Sequence, residues 1–74
     1  MLLNIDRPLG TATLHETTCA YIPRPPGTPL KPLEHMGRDG GWFAAMSETA
    51  GRAIANREFP EGEFRLCNYC WGRA

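Results

Sequence analysis

The chain of 74 residues lacks valine altogether and has few large apolar side chains with which to build a core. About 20 residues are Leu, Ile, Phe, Trp, Tyr or Met, and burying each is worth roughly 1.5–3 kcal/mol. A chain this small usually needs disulfides, a metal ion or a partner in order to fold. We therefore expect residues 1–74 to form a single small domain that relies on one of these aids.

Cysteine is also scarce, and the three cysteines cannot all pair within one chain. The odd number argues against a secreted disulfide framework. We see no signal peptide, because residues 1–5 are too short an apolar run and Asp6 follows at once. No stretch approaches the length of a transmembrane helix. These absences predict a cytoplasmic protein away from membranes, whose thiols are free to bind a metal.

Neither sign of charge is in excess, since eight Lys and Arg residues balance eight Asp and Glu residues. The two halves of the chain are equally balanced, so neither is a basic or an acidic tail. This balance weakens any argument for broad electrostatic attraction to nucleic acid or to a membrane surface.

The pattern of apolar residues predicts a small α+β domain, a β-sheet with one α-helix. Thr11–His15 and residues 41–46 have β-propensity and read as strands. Ser47 is a good N-cap for a helix from about Glu48 to about Arg57, which Pro60 and Gly62 would end. A helical period of 3.6 residues predicts a common helix face for Met46, Ala50, Ala53, Ile54 and Arg57.

Residues 23–33 form a long proline-rich loop that holds five of the seven prolines. Polyproline II has three residues per turn, so prolines at every third position would share one face. That face would consist of Pro23, Pro26, Pro29 and Pro32.

Two pairs of residues have the spacing of metal ligands. Cys67 and Cys70 form a Cys-x-x-Cys turn, and His15 and Cys19 supply a second half from an earlier turn. Zinc takes four tetrahedral ligands, typically thiolates and imidazoles. The sequence therefore predicts a closed, structural Zn²⁺ site made of His15, Cys19, Cys67 and Cys70.

Other interpretations of these residues stay open. His35 could replace His15 as the fourth ligand, although no cysteine lies near it in the sequence. Cys-x-x-Cys is also a redox motif, but a thioredoxin-like fold needs a longer chain. An iron–sulfur cluster is a further alternative, but most of these clusters use four cysteines.

The order of these motifs resembles a family of small domains typified by the metal-binding domain of Ada DNA-repair proteins. The matching segments are His15 to Cys19, the aromatic pair Trp42 and Phe43, residues 47–50 and residues 64–70. The resemblance covers residues 15–70 at about a dozen positions, and it implies a small β-sheet and a helix around zinc. In Ada the first ligand is a cysteine that accepts a methyl group, and here that position is His15.

Three kinds of function remain. A protein-interaction module is the first, because the proline-rich loop resembles ligands of aromatic-lined grooves. Nucleic-acid binding is the alternative, with arginines and aromatic side chains gathered near the Cys-x-x-Cys turn; the candidates are Arg52, Arg57, Arg65, Tyr69, Trp71 and Arg73. The remote alternative is Cys19 as a zinc-bound methyl acceptor. We expect no enzymatic activity, and the sequence does not specify an oligomeric state.

Overall fold

The computed structural model describes residues 1–23 and 25–71, and it shows the predicted α+β class. Within these residues a four-stranded sheet is combined with one long and one very short helix. In chain order the elements are β1 (Leu2–Asp6), β2 (Thr11–His15), β3 (Gly40–Ala44), α1 (Glu48–Glu58), β4 (Glu63–Leu66) and α2 (Asn68–Trp71).

The strands lie in the order β3-β1-β2-β4. β1 runs antiparallel to both β2 and β3, whereas β2 and β4 run parallel. β1 was not predicted from the sequence, although it is a central strand and its Leu3 and Ile5 are fully buried. β2 has the predicted bounds, and β3 ends at Ala44, two residues earlier than predicted.

Helix α1 begins where the sequence predicts. The Ser47 side chain accepts a hydrogen bond of 3.1 Å from the Ala50 N–H, which satisfies one free donor of the first turn. The helix ends at Glu58, and the Phe59 N–H donates to the Ala55 carbonyl over 2.8 Å.

The predicted face of α1 is partly wrong. Met46 precedes the helix and is 96% exposed, and Ala53 is also exposed, whereas the exposed Arg57 is the expected polar end of this face. The buried residues of the helix are Gly51 and Ala55, which are too small to stand out in an apolar pattern. A Cβ atom on Gly51 would lie 3.1 Å from Leu14 Cδ1, so the glycine lets α1 pack closely on β2.

Each face of the sheet carries its own apolar cluster. Residues paired across strands share a face, so Leu3, Leu14 and Phe43 point to one side, against α1. Their neighbours in sequence point to the other side, where Trp42 is 5% exposed. The second cluster contains Cys19, Ile22, Trp42 and Cys67, with Leu2, Cys70 and Trp71 packed against it.

Residues 25–33 do not form a regular polyproline II helix, the conformation in which prolines at every third position would share one face. Thr28 and Lys31 exchange two backbone hydrogen bonds of 2.8 and 3.1 Å, whereas polyproline II has none. Gly27 has a φ of 96°, which also breaks the regular conformation. The four prolines therefore share no continuous face; Pro23 and Pro29 are exposed, and Pro26 and Pro32 are partly buried.

The second part of this loop covers the outer edge of β3. The Trp42 N–H donates to the Pro32 carbonyl over 2.9 Å, and the Glu34 N–H donates to the Trp42 carbonyl over 2.6 Å. Lys31 lies 3.6 Å from the Asp6 carboxylate and 5.5 Å from the centroid of the Trp42 ring. The loop is thus tied to the sheet at several points.

Among residues 1–23 and 25–71, no helix has the length and apolar character needed to cross a membrane.

Candidate metal centre

The parallel pairing of β2 and β4 brings the two halves of the predicted site together. Leu14 is aligned with Leu66, and the Cys67 N–H continues the ladder by donating to the Leu14 carbonyl over 2.9 Å. Parallel strands end at the same edge of a sheet. His15, the last residue of β2, and Cys67, the first residue after β4, therefore lie side by side.

Two local turns bring the remaining cysteines to the same place. The Cys19 N–H donates to the Glu16 carbonyl over 3.0 Å, which folds the chain back over the end of β2. The N–H groups of Cys70 and Trp71 donate to the Cys67 carbonyl over 3.2 and 3.0 Å. This single turn of α2 sets Cys67 and Cys70 at the spacing of a Cys-x-x-Cys knuckle.

The four predicted ligands form one cluster. One ligand atom from each of His15, Cys19, Cys67 and Cys70 lies within 4.8 Å of all the others. The first three side chains are buried and Cys70 is partly exposed. These residues are positioned to hold a metal ion. His35, the alternative ligand, is exposed and lies outside the cluster.

His15 has the environment of a neutral ligand. Burial lowers the pKa of its imidazole, and the nearby positive charge of Lys31 lowers that pKa further. The ring lies 5.9 Å from the Trp42 ring, measured between centroids. Its Nδ1 is buried and has no hydrogen-bond partner within residues 1–23 and 25–71. A buried polar atom normally has a partner, and a metal ion bound to this imidazole would account for its isolation.

The sulfur atoms receive hydrogen bonds from the backbone. The Glu16 N–H donates to Cys70 Sγ over 3.3 Å. Burial raises the pKa of the Cys67 thiol, but hydrogen bonds from the backbone of Cys70 and Tyr69 and from the Cys70 and Cys19 side chains together lower it by more, so this pKa lies below its ordinary value. Burial and a hydrogen bond to Cys19 raise the pKa of Cys70 to about 12.

The aromatic residues divide between the two clusters. Trp42 belongs to the cluster that contains Cys19 and Cys67, and Trp71 packs against both clusters. Phe43 and Phe59 lie in the core under α1, and Phe64 packs against that core. Aromatic side chains beside thiol ligands would limit the access of water to a bound metal ion, and of these residues only the two tryptophans are placed to do so.

The arginines proposed for nucleic-acid contact do not form a free basic patch. Each one that the structure describes lies close to a carboxylate: Arg52 to Glu48 at 3.1 Å, Arg57 to Glu58 at 2.8 Å and Arg65 to Glu63 at 3.0 Å. Arg52 and Arg57 project from α1, on the side of the sheet away from the cysteines. Arg73 lies outside the described residues.

An exposed pair of tyrosines lies beside the metal centre. Tyr21 follows Cys19 by two residues and is 67% exposed, and Tyr69 precedes Cys70 and is 42% exposed. Their rings meet edge to face with centroids 5.0 Å apart. Tyr69 is one of the residues expected from the sequence to contact nucleic acid, whereas Tyr21 was not predicted, because it belongs to no motif. We refer to Tyr21 and Tyr69 as the tyrosine pair.

Comparison with known proteins found no matching family model, no matching curated protein and no matching solved structure.

Proposed function

We propose that this chain is a small structural zinc-binding domain that acts as an interaction module for a protein partner and has no enzymatic activity. The observation that carries this proposal is the closed cluster of one imidazole and three thiols at the joint end of β2 and β4. Because the apolar core of this chain is small, an ion bound by two turns distant in sequence would add stability that the core does not supply.

The donor set and its spacing favour zinc over other ions. Two sulfurs bound tetrahedrally to zinc, each at about 2.3 Å, are about 3.8 Å apart. The Cys19 and Cys67 sulfurs are separated by 3.9 Å. Calcium and magnesium prefer oxygen ligands, and the cluster offers none.

The surroundings of the site also suit a thiolate-rich metal. Three thiolates and a neutral imidazole around a divalent ion carry a net charge of −1. The N–H groups of Glu16, Tyr69 and Cys70 that donate to sulfur offset this charge. The lowered pKa of His15 keeps the imidazole in its neutral, ligating form at pH 7.

A structural role follows from the number of ligands and from their burial. Four protein ligands fill a tetrahedral zinc site, so no position is left for water or substrate. Cys19, the candidate methyl acceptor, is only 4% exposed, and His15 stands where a nucleophilic cysteine occurs in the Ada family. Methyl transfer is therefore not part of the proposed function, and kinship with that family stays a prediction.

Metal analysis tests the zinc site directly. We expect protein purified without chelators to contain one zinc ion per chain, measured by mass spectrometry of the elements. The His15→Ala variant should lose zinc in a competition with a colorimetric chelator, whereas the matched His35→Ala variant should retain it. A protein that carries no metal, and keeps its fold with Cys67 and Cys70 both changed to serine, would disprove the site.

The tyrosine pair supports the proposed interaction with a protein. Tyrosine is enriched at protein interfaces, because its ring adds apolar area and its hydroxyl adds a hydrogen bond. Both tyrosines lie on turns that carry metal ligands, so the ion would fix their relative position. Exposed Pro23 follows Tyr21 closely and extends the same surface into the proline-rich loop.

Affinity capture with matched variants tests this surface. The bait is the zinc-loaded chain, compared with Tyr21→Ala/Tyr69→Ala and with Leu9→Ala, a 74% exposed control in the β1–β2 turn. We expect a protein partner that the control retains and the double variant loses, with nuclease having no effect. Capture that is equal for all three baits would contradict the proposed surface.

The same capture experiment addresses nucleic-acid binding. Because Arg52, Arg57 and Arg65 are balanced by neighbouring carboxylates, these three residues supply no excess positive charge to attract phosphates. We therefore propose a protein as the partner in preference to a nucleic acid. Retention of nucleic acid that decreases steeply with salt would reverse this order.

A further inference from the structure

The two edges of the sheet differ in how they are covered. Residues 32–34 pair with β3 and occupy its outer edge. β4 forms the opposite edge, and nothing in residues 1–23 and 25–71 forms a backbone ladder along its outer side. An uncovered edge strand is a template for pairing with another strand.

The backbone groups that face this open side can be identified. The Glu63 N–H donates to the Gly10 carbonyl and the Cys67 N–H donates to the Leu14 carbonyl, each over 2.9 Å. In a parallel ladder, alternate residues point to the same neighbouring strand. The N–H and C=O groups of Phe64 and Leu66 therefore point away from β2, toward the open side.

We propose that a second copy of this chain pairs with β4, so that the two β4 strands run antiparallel and Phe64 lies opposite the partner's Phe64. This centre is suitable because the Phe64 backbone groups point outward and can exchange two hydrogen bonds across the twofold axis. The Leu66 N–H then faces the carbonyl of the partner's Gly62, and the symmetric bond forms on the other side of the centre.

The side chains of β4 are complementary to themselves in this register. Glu63 lies opposite the partner's Arg65, and Arg65 lies opposite the partner's Glu63. In the single chain these two side chains form a pair at 3.0 Å and are well exposed, so they can exchange partners without unfolding anything. Directly opposite charges stabilise a strand pair, whereas like charges destabilise it.

Other registers of the two β4 strands do not place opposite charges across from each other with outward-facing backbone groups at the centre. Centring the pair on Arg65 would place two guanidinium groups opposite each other, and the Arg65 backbone groups already face β2. Centring it on Leu66 would bring β4 against the partner's α2 and separate the opposite charges. The order Glu63, Phe64, Arg65 therefore selects one pairing.

The helical side of the sheet offers room for the same pairing. An open groove of about 410 Å³ lies beside β4, lined by Arg52 and Asn56 of α1 and by Phe59, Pro60 and Phe64. Phe64 is half-buried there, with the Arg52 guanidinium 4.4 Å from its ring centroid. In the dimer the partner's Phe64 meets this ring and covers part of the groove.

The covered edge of β3 limits the assembly to two copies. Each chain presents one open edge, and a twofold pair uses both of them, so the assembly closes instead of growing into a filament. The result is an eight-stranded sheet with one metal centre per chain. Because the strands in contact are short, the dimer is a reversible one that depends on concentration.

Charge reversal with rescue tests the proposal by sedimentation velocity on zinc-loaded protein of measured metal content. The unmodified chain should shift from monomer to dimer as its concentration rises. Glu63→Arg and Arg65→Glu should each raise the dimer dissociation constant about tenfold, since each creates two like-charge pairs. Arg38→Glu, an exposed charge reversal in the loop beside β3, should leave it unchanged.

Rescue is the decisive step. An equimolar mixture of Glu63→Arg and Arg65→Glu chains should form heterodimers, and the double variant Glu63→Arg/Arg65→Glu should dimerise as the unmodified chain does. The proposal is overturned if the unmodified chain stays monomeric at every concentration, if the single variants dimerise normally, or if the mixture does not restore the dimer.

Discussion

Removing the metal ion should unfold the two turns that carry the ligands, residues 16–23 and 67–71. In these turns few backbone hydrogen bonds connect to the sheet, and the apolar side chains around them are few. Besides the Glu16–Cys70 hydrogen bond and the tyrosine pair, the proposed ion would be the main connection between the turns. Chelation is therefore a sharp test of how this half of the domain is stabilised.

The magnitude can be estimated from the structure. Ordering about 13 residues costs roughly 1.5 kcal/mol each, on the order of 20 kcal/mol. Burial of Ile22 and Trp42, which depends on these turns, returns about 3–6 kcal/mol. A structural zinc ion contributes about 10–16 kcal/mol. With the ion, the favourable terms are thus close to the cost of ordering the turns. Without the ion, that cost is much larger than the gain from burial.

Tryptophan fluorescence is a suitable assay, because both tryptophans of the chain lie in the cluster around the ligands. Trp42 is 5% exposed and Trp71 is partly buried. We expect excess chelator to shift the emission to longer wavelength and to lower the melting temperature, and added zinc to reverse both changes. Chelated, metal-free protein that kept its buried tryptophan emission and its melting temperature would refute this reasoning.

Three further outcomes are expected. Burial and Lys31 lower the pKa of His15 below its ordinary 6.5, so the unfolded chain binds this proton first on acidification. Stability should therefore fall as the pH drops below about 6.5, by at most about 1.4 kcal/mol per pH unit from this group, and a melting temperature of the unmodified chain that stays constant down to about pH 5 would contradict the assignment. Gly51→Val should lower the free energy of unfolding in urea by about 1–3 kcal/mol, since the valine side chain would press on Leu14. Ala53→Val, on the exposed side of α1, should lower it by less than about 1 kcal/mol, roughly the difference in helix propensity. Equal effects of the two variants would argue against close packing at Gly51. Ser47→Ala should cost about 1 kcal/mol in thermal unfolding by removing the cap, and no change would show that the cap contributes nothing.

Local signals in the sequence were sufficient for several elements. The β-propensity of Thr11–His15, the cap at Ser47 and the paired spacing of the four ligands depend on residues close in sequence, and the structure has β2, α1 and the cluster where these signals place them. The strand and the cap need no knowledge of distant partners, and the ligand spacing indicates which two turns one ion would join.

The features that were missed depend on distant contacts. β1 alternates apolar Leu3 and Ile5 with polar Asn4 and Asp6, yet only its pairing with β2 and β3 makes so short a segment a central strand. The proline-rich loop departs from polyproline II because its hydrogen bonds to Trp42 hold it along β3. The apolar pattern did not predict the buried face of α1, because close packing on Leu14 requires glycine at position 51, which has no apolar side chain.

The pairing of β2 with β4 has a consequence for the order of events during folding. Cys19 and Cys67 are 48 positions apart, so neither turn alone offers an ion more than two ligands. Two ligands bind weakly, and bringing distant segments together is slow because the intervening chain must first be restricted. The antiparallel strands β1, β2 and β3 can associate beforehand, with the C-terminal strand and the ion joining last. Zinc in this domain would thus complete a nearly finished structure instead of nucleating it.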